Sequence, residues 1–192
     1  IDDLKGLKMR IPGLGGEVLR RAGGTPVTLP GAEIFTALQT GAIDATEWVG
    51  PYNDASFGLH KAARYYYYPG WQEPGPGLET IINTTAWESL PPDLQEIVSI
   101  TAQAVTTDMA AEYTHGNATS LVQLEADPNV EIRPFPDEVI LLLRSITKEV
   151  VAELMSVDPA SAKIGKAYFD FLEKASANSR LSELAYLRAR DL

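Results

Sequence analysis

The stretch Glu33-Ile-Phe-Thr-Ala-Leu-Gln-Thr-Gly-Ala-Ile-Asp-Ala-Thr-Glu-Trp-Val49 holds the pattern that decides the fold. Its first part carries apolar side chains at helical spacing, which predicts a helix over residues 33–40. Gly41 follows at once and is the residue type that most often closes a helix in a left-handed conformation. Residues 43–49 are then rich in strand-forming side chains. The stretch therefore predicts a helix that turns directly into a strand.

The chain before this stretch repeats the same alternation. Residues 7–11 and 26–29 are predicted strands, and residues 17–22 form a short helix between them. A strand-helix-strand-helix-strand order is typical of a mainly parallel sheet with helices on its faces. The fold class predicted from the sequence is therefore α/β.

The middle of the chain is predicted to mix helix, strand and loop. Residues 57–63 are assigned to a helix, residues 64–68 to an extended tyrosine run, and residues 78–83 to a further strand. A loop rich in proline and glycine, residues 69–77, precedes that strand. A turn of helix containing Trp87 is predicted to follow it.

The second half is predicted to be mostly helical. Apolar side chains at helical spacing run through residues 91–125. About 30 residues of helix would span roughly 45 Å, so this helix is predicted to cross two lobes. Residues 130–135 return as a strand. Three helices follow: residues 137–156, 160–175 and 179–190. The last one carries an apolar stripe, Leu181 to Leu187, for which the chain offers no obvious partner.

Composition excludes several classes of function. The 192 residues carry a formal net charge of -10, which argues against nucleic acid because phosphate binding needs a basic surface. No apolar run approaches the roughly 20 residues of a membrane span. The absence of cysteine excludes disulfides and thiolate chemistry, and two histidines leave little room for a histidine-rich metal site.

Arg10 is a candidate anchor for an organic anion. It lies near the carboxyl end of the first predicted strand, where α/β proteins bind their ligands. Its planar guanidinium group can hold a carboxylate through two parallel hydrogen bonds. A solvent-facing or salt-bridged arginine is the alternative, and the residues alone favour it.

Glu47 and Glu73 are candidate ligands of a cation. Each is close to a tryptophan and to a proline or glycine break. Two carboxylates with a backbone carbonyl suit a hard cation such as calcium or sodium, which takes oxygen ligands. The same pair is compatible with acid–base hydrolysis of a sugar. Two unrelated surface acids, beside a Trp48 that only fills the core, are the simplest interpretation of the residues alone.

Four segments together resemble one family. They are Met9-Arg-Ile-Pro-Gly13, Ile34-Phe-Thr-Ala-Leu-Gln-Thr-Gly-Ala-Ile-Asp-Ala45, Glu47-Trp48 and Tyr65-Tyr-Tyr-Tyr-Pro-Gly-Trp-Gln-Glu-Pro-Gly75. The pattern resembles the solute-binding proteins of TRAP (tripartite ATP-independent periplasmic) transporters. It is most similar to the branch that binds 2-oxo or 2-hydroxy monocarboxylates, such as pyruvate or lactate, together with a metal ion.

The resemblance implies a periplasmic-binding-protein-like fold of two lobes, with a long connecting helix and extra C-terminal helices. Residues 1–50 correspond to the second α/β lobe, and residues 51–90 to a crossing segment with part of the first lobe. Residues 91–135 form the long helix with its return strand, and residues 136–192 form C-terminal helices used in dimerisation. Family members are considerably longer, so this chain corresponds to their C-terminal portion and lacks most of the first lobe.

The resemblance also implies a role for each matching residue. Arg10 anchors the ligand carboxylate. Glu47 binds the cation through both carboxylate oxygens, Trp48 adds its backbone carbonyl, and Glu73 approaches the same ion. Gln72 is a neighbouring ligand-binding residue. The calcium or sodium ion would bridge the protein and the ligand.

The function implied is therefore transport without chemistry. The resemblance indicates a periplasmic subunit that is not an enzyme, that delivers a small carboxylate to membrane subunits, and that forms a homodimer through its C-terminal helices. Two other functions stay open from the sequence: a metal-dependent hydrolase that uses the paired carboxylates, and a purely structural dimerisation module. No nucleophile–base pairing in the sequence supports the enzyme.

Overall fold

The computed structural model describes residues 1–75 and 77–192. This part of the chain divides into two compact units, Ile1–Leu143 and Arg144–Leu192. The first unit holds every strand that the structure describes, and it contains all five of the residues predicted to bind ligand or cation.

The predicted parallel sheet is confirmed, with shorter strands. It consists of β1 (Lys8–Arg10), β2 (Thr25–Val27) and β3 (Ala45–Thr46), in the order β2-β1-β3 with both pairs parallel. The third strand was predicted over residues 43–49 but pairs over only two residues. The amide of Glu47 still donates to the carbonyl of Arg10 at 3.2 Å, after which the chain leaves the sheet to begin a helix.

Two helices connect these strands. Helix α1 (Gly13–Arg21) begins earlier than predicted, because close packing against the preceding strand overrides the poor helix propensity of its glycines. A side chain at Gly16 would approach the Ile11 carbonyl oxygen to 2.7 Å. Helix α2 (Gly31–Thr40) ends as predicted, at Gly41 with a φ of 72°.

The core of the first unit forms around α2. Its buried members are Ile34, Ala37, Leu38, Ile43 and Leu59. These side chains come from the helix, from the turn after it and from a 3-10 turn further along the chain, so the core holds the segment before β3 firmly under the sheet.

The predicted helix over residues 57–63 was wrong. Helix α3 (Pro51–Ser56) precedes it, and the rest of the range holds only a 3-10 turn, Leu59–Lys61. Proline suits the first position of a helix, which starts α3 early. Gly58, with a φ of 69°, breaks the helical path before the turn.

The tyrosine run forms a strand, as predicted. It is β4 (Tyr65–Tyr68), which pairs in parallel with β5 (Glu131–Pro134) in a separate two-stranded sheet. The strand predicted over residues 78–83 was wrong, because no strand in the described part of the chain lies beside it to complete a ladder. Its Ile81 side chain is 83% exposed. Asn83 instead caps a short helix, α4 (Thr84–Glu88).

The long helix is confirmed as α5 (Pro92–Ala126), 35 residues and about 52 Å in length. Its C-terminal part packs against α3. A side chain at Gly116 would lie 2.7 Å from the Tyr52 ring, so the glycine permits the close approach of the two helices. Ser120 and Leu124, one and two turns further on, are buried on the same face.

Helix α6 (Asp137–Met155) contains the boundary between the two units. The second unit continues with α7 (Pro159–Leu181) and α8 (Glu183–Arg190). Asp158 caps α7 by accepting hydrogen bonds from two backbone amides at 2.7 and 2.8 Å. Among the residues that the structure describes, no helix is long and apolar enough to cross a membrane.

Candidate functional site

Arg10 and Glu47 meet at the carboxyl edge of the three-stranded sheet. Arg10 is the last residue of the central strand β1, and Glu47 directly follows β3. The chain runs from β1 to β2 on one side and then returns to β3 on the other side. A reversal of this kind leaves a crevice between the two strand ends, which is where α/β proteins bind their ligands.

The Arg10 guanidinium group is held by three groups. Its Nε donates a hydrogen bond to the Leu29 carbonyl at 3.2 Å, and its Nη1 forms an ion pair with Glu47 Oε1. Its Cζ lies 5.2 Å from the centroid of the Trp48 ring. The side chains of Arg10 and Glu47 are only 11% and 13% exposed. The guanidinium plane is therefore preorganised at a site largely withdrawn from water.

Burial dominates the electrostatics of Glu47. The pKa of its carboxyl group is raised, first because burial penalises the charged form. Arg10 acts in the opposite direction, as does a hydrogen bond donated by the side chain of Gln72, while the charge of Glu73 raises the pKa further. The single arginine does not fully compensate the buried anion. A cation beside the two glutamates would do so.

The Trp48 indole packs between the arginine and the core. Its ring centroid lies 5.3 Å from that of Phe57, and it contacts the α2 core cluster. Gly31 lies so close that a side chain there would approach Trp48 Cη2 to 2.6 Å. The buried Nε1 atom has no hydrogen-bond partner within the described structure. The Trp48 side chain is therefore a packing residue. These contacts involve only the side chain and say nothing about the Trp48 backbone carbonyl.

We expect Gly31→Ala to destabilise the protein by about 1–3 kcal/mol, because the added methyl group overlaps the indole ring. Alanine has a higher helix propensity than glycine and would by itself stabilise helix α2, so a loss of stability would report the clash with Trp48. Urea unfolding measures it. Gly77→Ala is the matched control, since a side chain there meets no atom within 4 Å. Equal stability of the two variants would contradict the packing described for Trp48.

The loop after β4 brings Gln72 and Glu73 to the same crevice. A side chain at Gly15 of α1 would lie 3.4 Å from Gln72 Cβ, so this glutamine rests against the helix beside β1. Its side chain acts to lower the pKa of the Glu47 carboxyl group, and the charge of Glu73 acts to raise it. The structure therefore brings together all of the sequence-predicted site residues: Arg10, Glu47, Trp48, Gln72 and Glu73.

The donor atoms at this edge fit a hard cation. The described residues contain no group of three or more histidine, cysteine, aspartate or glutamate side chains placed to hold a metal ion. Two carboxylates, those of Glu47 and Glu73, are available, with the Gln72 amide beside them. All of these donors are oxygens, which calcium and sodium accept and which softer metals do not prefer. Backbone, ligand or water oxygens would have to complete the coordination.

Tyr52 and the tyrosines of β4 make other contacts. Tyr52 packs edge-to-face on Tyr113 of α5, with ring centroids 5.8 Å apart, and its hydroxyl donates to Glu112. Within β4, Tyr66 alone is half-buried and its three neighbours are exposed.

Two residues of this region were missed from the sequence. Asp54 of α3 and Tyr66 of β4 share a hydrogen bond of 2.6 Å and lie behind the turn that carries Glu47 and Trp48. An aspartate in the first turn of a helix opened by Gly50-Pro51 was the available signal, because such aspartates often accept hydrogen bonds from backbone amides at helix starts.

The family of the chain follows from its sequence. Residues 1–158 match the DctP family, described as bacterial extracellular solute-binding protein, family 7. The match covers well over half of the chain, which belongs to this family.

Particular relatives agree with the match. The chain is 42% identical over 186 residues to a monocarboxylate 2-oxoacid-binding periplasmic protein of Nostoc sp.. The aligned region covers 97% of this chain and 51% of the relative. A TRAP periplasmic solute-binding protein from Pseudoalteromonas atlantica, solved with bound sodium and pyruvate, superimposes with a TM-score of 0.91 at 44% identity, covering 97% of this chain and 57% of that one. A TRAP periplasmic solute-binding protein from Colwellia psychrerythraea, solved with bound calcium and pyruvate, superimposes with a TM-score of 0.93 at 43% identity. This match covers 98% of this chain and 57% of that one.

These matches confirm the family and the fold class predicted from the sequence, a periplasmic-binding-protein-like α/β architecture with a long helix and further C-terminal helices. The chain spans slightly more than half the length of these relatives: 51% of the Nostoc protein and 57% of each solved structure.

Proposed function

We propose that the protein is the periplasmic solute-binding subunit of a TRAP-type transporter, and that it binds a 2-oxo or 2-hydroxy monocarboxylate such as pyruvate or lactate together with a calcium or sodium ion. The observation that carries this proposal is the buried Arg10–Glu47 pair at the carboxyl edge of the sheet. The names of relatives more than 40% identical support it, since they bind 2-oxoacids or were solved with pyruvate and one of these cations.

Arg10 would bind the ligand carboxylate through its guanidinium nitrogens, for which it is already oriented by Leu29 and Trp48. Glu47, Glu73 and the Trp48 carbonyl would hold the cation, with Gln72 beside them. A bound cation supplies positive charge to a buried carboxylate that Arg10 alone leaves undercompensated, and it takes the second oxygen of the ligand. Binding would require no bond to be made or broken.

The transport cycle would use closure of two lobes around this site. Residues 1–50 would belong to the second lobe, and residues 51–90 to the crossing segment and part of the first lobe. Residues 91–135, the long helix with its return strand, would connect the lobes. Closure excludes water, which strengthens the charged contacts of the ligand. Membrane subunits of the transporter would then recognise the closed form.

Calorimetry of the full-length protein tests this function. Pyruvate and lactate should release heat on titration into the calcium-loaded protein, and a chelator should abolish that heat. The structurally matched control ligand is propionate, which keeps the carboxylate and lacks the second oxygen. Strong binding of pyruvate in chelator, or equal binding of propionate, would contradict the cation bridge.

We propose that the C-terminal helices mediate a homodimer. Large apolar side chains are exposed along α7 and α8: Ile164, Tyr168, Phe171, Leu181, Leu184 and Leu187. The number of large apolar side chains exposed on these two helices supports an interaction surface.

We expect the double change Leu184→Glu and Leu187→Glu to yield a monomer in sedimentation experiments, because it places two charges in the apolar contact. Leu141→Glu is the control, since this residue is also exposed but lies in the first unit. A wild-type protein that sediments as a monomer would rule out the dimer.

A further inference from the structure

The first turn of helix α3 is capped by a side chain of another helix. Gly50, the residue before α3, has no side chain that could act as a cap, and Pro51 has no amide hydrogen. The first amide hydrogen of the helix is therefore that of Tyr52, and it is donated to Oδ1 of Asn117 at 3.0 Å. Asn117 belongs to the long helix α5, 65 positions further along the chain. The cap is thus a tertiary contact between two helices.

Two glycines make room for this contact. A side chain at Gly50 would approach Asn117 Oδ1 to 3.2 Å, which is tighter than an ordinary contact, and a side chain at Gly116 would overlap the Tyr52 ring. Glycine and asparagine are both unfavourable in the middle of a helix. The intrinsic preference of α5 therefore does not account for residues 116–117, whereas the contact with α3 uses both of them.

The capped turn directly follows a residue of the candidate site. At one end of the turn, the Glu47 amide donates to the Arg10 carbonyl at 3.2 Å. At the other end, the Tyr52 amide is held by Asn117. Residues 48–51 lie between these two anchors, and the proline at position 51 restricts the backbone further. The turn is therefore tied to the sheet at its start and to α5 at its end.

We propose that Asn117 is a positioning residue for the cation site, because it anchors to the long helix the turn that begins at Glu47. This inference rests on the proposed function, and in particular on Glu47 as a cation ligand. Asn117 is half-buried, so water competes weakly for its hydrogen bond and the bond keeps a fixed geometry. Without the cap, the start of α3 would fray, and the turn would be held only at its Glu47 end.

Two substitutions at this position in the full-length protein test the proposal. Asn117→Leu keeps a side chain of similar size and removes the acceptor, whereas Asn117→Asp keeps an acceptor oxygen. We expect calcium affinity, measured by isothermal titration, to fall roughly 3- to 30-fold in Asn117→Leu, the factor by which losing a cap shifts the equilibrium of a helix start. Asn117→Asp should stay within about twofold of the wild type, because a carboxylate also caps a helix.

Gln103→Leu is the matched control. It replaces a side-chain amide by the same apolar side chain, in the same helix but at an exposed position. Its calcium affinity should equal that of the wild type.

Hydrogen exchange separates positioning from general damage. Without cation, the Tyr52 amide should exchange with solvent faster in Asn117→Leu than in the wild type or in Asn117→Asp, because only the leucine variant has lost the acceptor. The amide of Leu38, in the core cluster around α2, should be equally protected in all of these proteins, since that cluster does not include Asn117.

The outcomes distinguish the inference from the function on which it depends. If the wild type binds calcium and Asn117→Leu binds it equally well, the positioning role is overturned and the proposed function stands. If Asn117→Asp loses as much calcium affinity as Asn117→Leu, or if Leu38 also exchanges faster in the leucine variant, the contact serves general structure, which overturns the inference as well. If the wild type binds no cation at all, the proposed function itself fails.

Discussion

Arg10→Gln is expected to reduce pyruvate binding below detection in calorimetry of the calcium-loaded protein. The variant removes both charge-assisted hydrogen bonds to the ligand carboxylate and leaves that carboxylate buried without a partner. Truncating one member of a buried, hydrogen-bonded charge pair costs about 2–5 kcal/mol or more. Since about 1.4 kcal/mol corresponds to a tenfold change, affinity should fall by more than tenfold and up to several thousandfold. The structure gives Arg10 no substitute, because its neighbours Glu47 and Trp48 carry no positive charge.

Two controls accompany this variant. Arg64→Gln breaks an Arg–Glu pair of the same composition at the surface, where the arginine is 62% exposed, and should leave pyruvate affinity unchanged. Arg10→Lys keeps the charge but loses the planar fork and the Nε hydrogen bond to Leu29, so its affinity should be intermediate. A folded Arg10→Gln protein that binds pyruvate like the wild type would exclude Arg10 as the anchor.

Glu47→Gln is expected to remove the dependence of ligand binding on the cation. A neutral amide offers one oxygen where the carboxylate offered two with a negative charge, so calcium affinity should fall by at least 10-fold, as for the loss of a metal-supporting group. The small amount of pyruvate binding that remains should not respond to chelator. Isothermal titration with calcium, followed by pyruvate with and without chelator, measures both effects.

Glu79→Gln is the matched control, because this exposed glutamate lies just beyond the site loop and has no predicted role. Glu73→Gln should weaken calcium binding less than Glu47→Gln does, since Glu47 is the buried carboxylate of the Arg10 ion pair and Glu73 acts on it through its charge. Full retention of calcium affinity in Glu47→Gln would contradict the proposed cation site.

Elements with a strong local signal were predictable from the sequence. Gly41 ended α2 where its left-handed conformation requires glycine, and the tyrosine run formed β4 because of its β propensity. The apolar spacing of α5 placed its ends to within about two residues, the usual uncertainty of helix ends. In each of these segments the residues themselves carry the information.

Elements that depend on tertiary contacts were not predictable in the same way. The start of α1 depends on how closely Gly16 packs against β1, and residues 78–83 have strand-like composition but no strand beside them in the described structure. Composition reports the preference of a segment, and a sheet also requires a partner. Neither fact can be read from a window of sequence.

The candidate site was likewise predictable only in part from the sequence. The sequence indicated Arg10 and Glu47 separately, and the family resemblance assigned them to one ligand. Their contact, across 37 positions of sequence, follows from the parallel register of β1 and β3, which only the structure shows. Asp54 went unnoticed because its hydrogen bonds with the Gly50 amide and the Tyr66 hydroxyl are a property of the folded turn.

The most direct measurement is a crystal structure of the full-length protein grown with pyruvate and calcium. The account predicts pyruvate density with its carboxylate on the Arg10 guanidinium group, and an anomalous peak for calcium within bonding distance of Glu47 and of the ligand's second oxygen. Pyruvate and calcium bound at another face, with Arg10 and Glu47 still paired to each other, would contradict it.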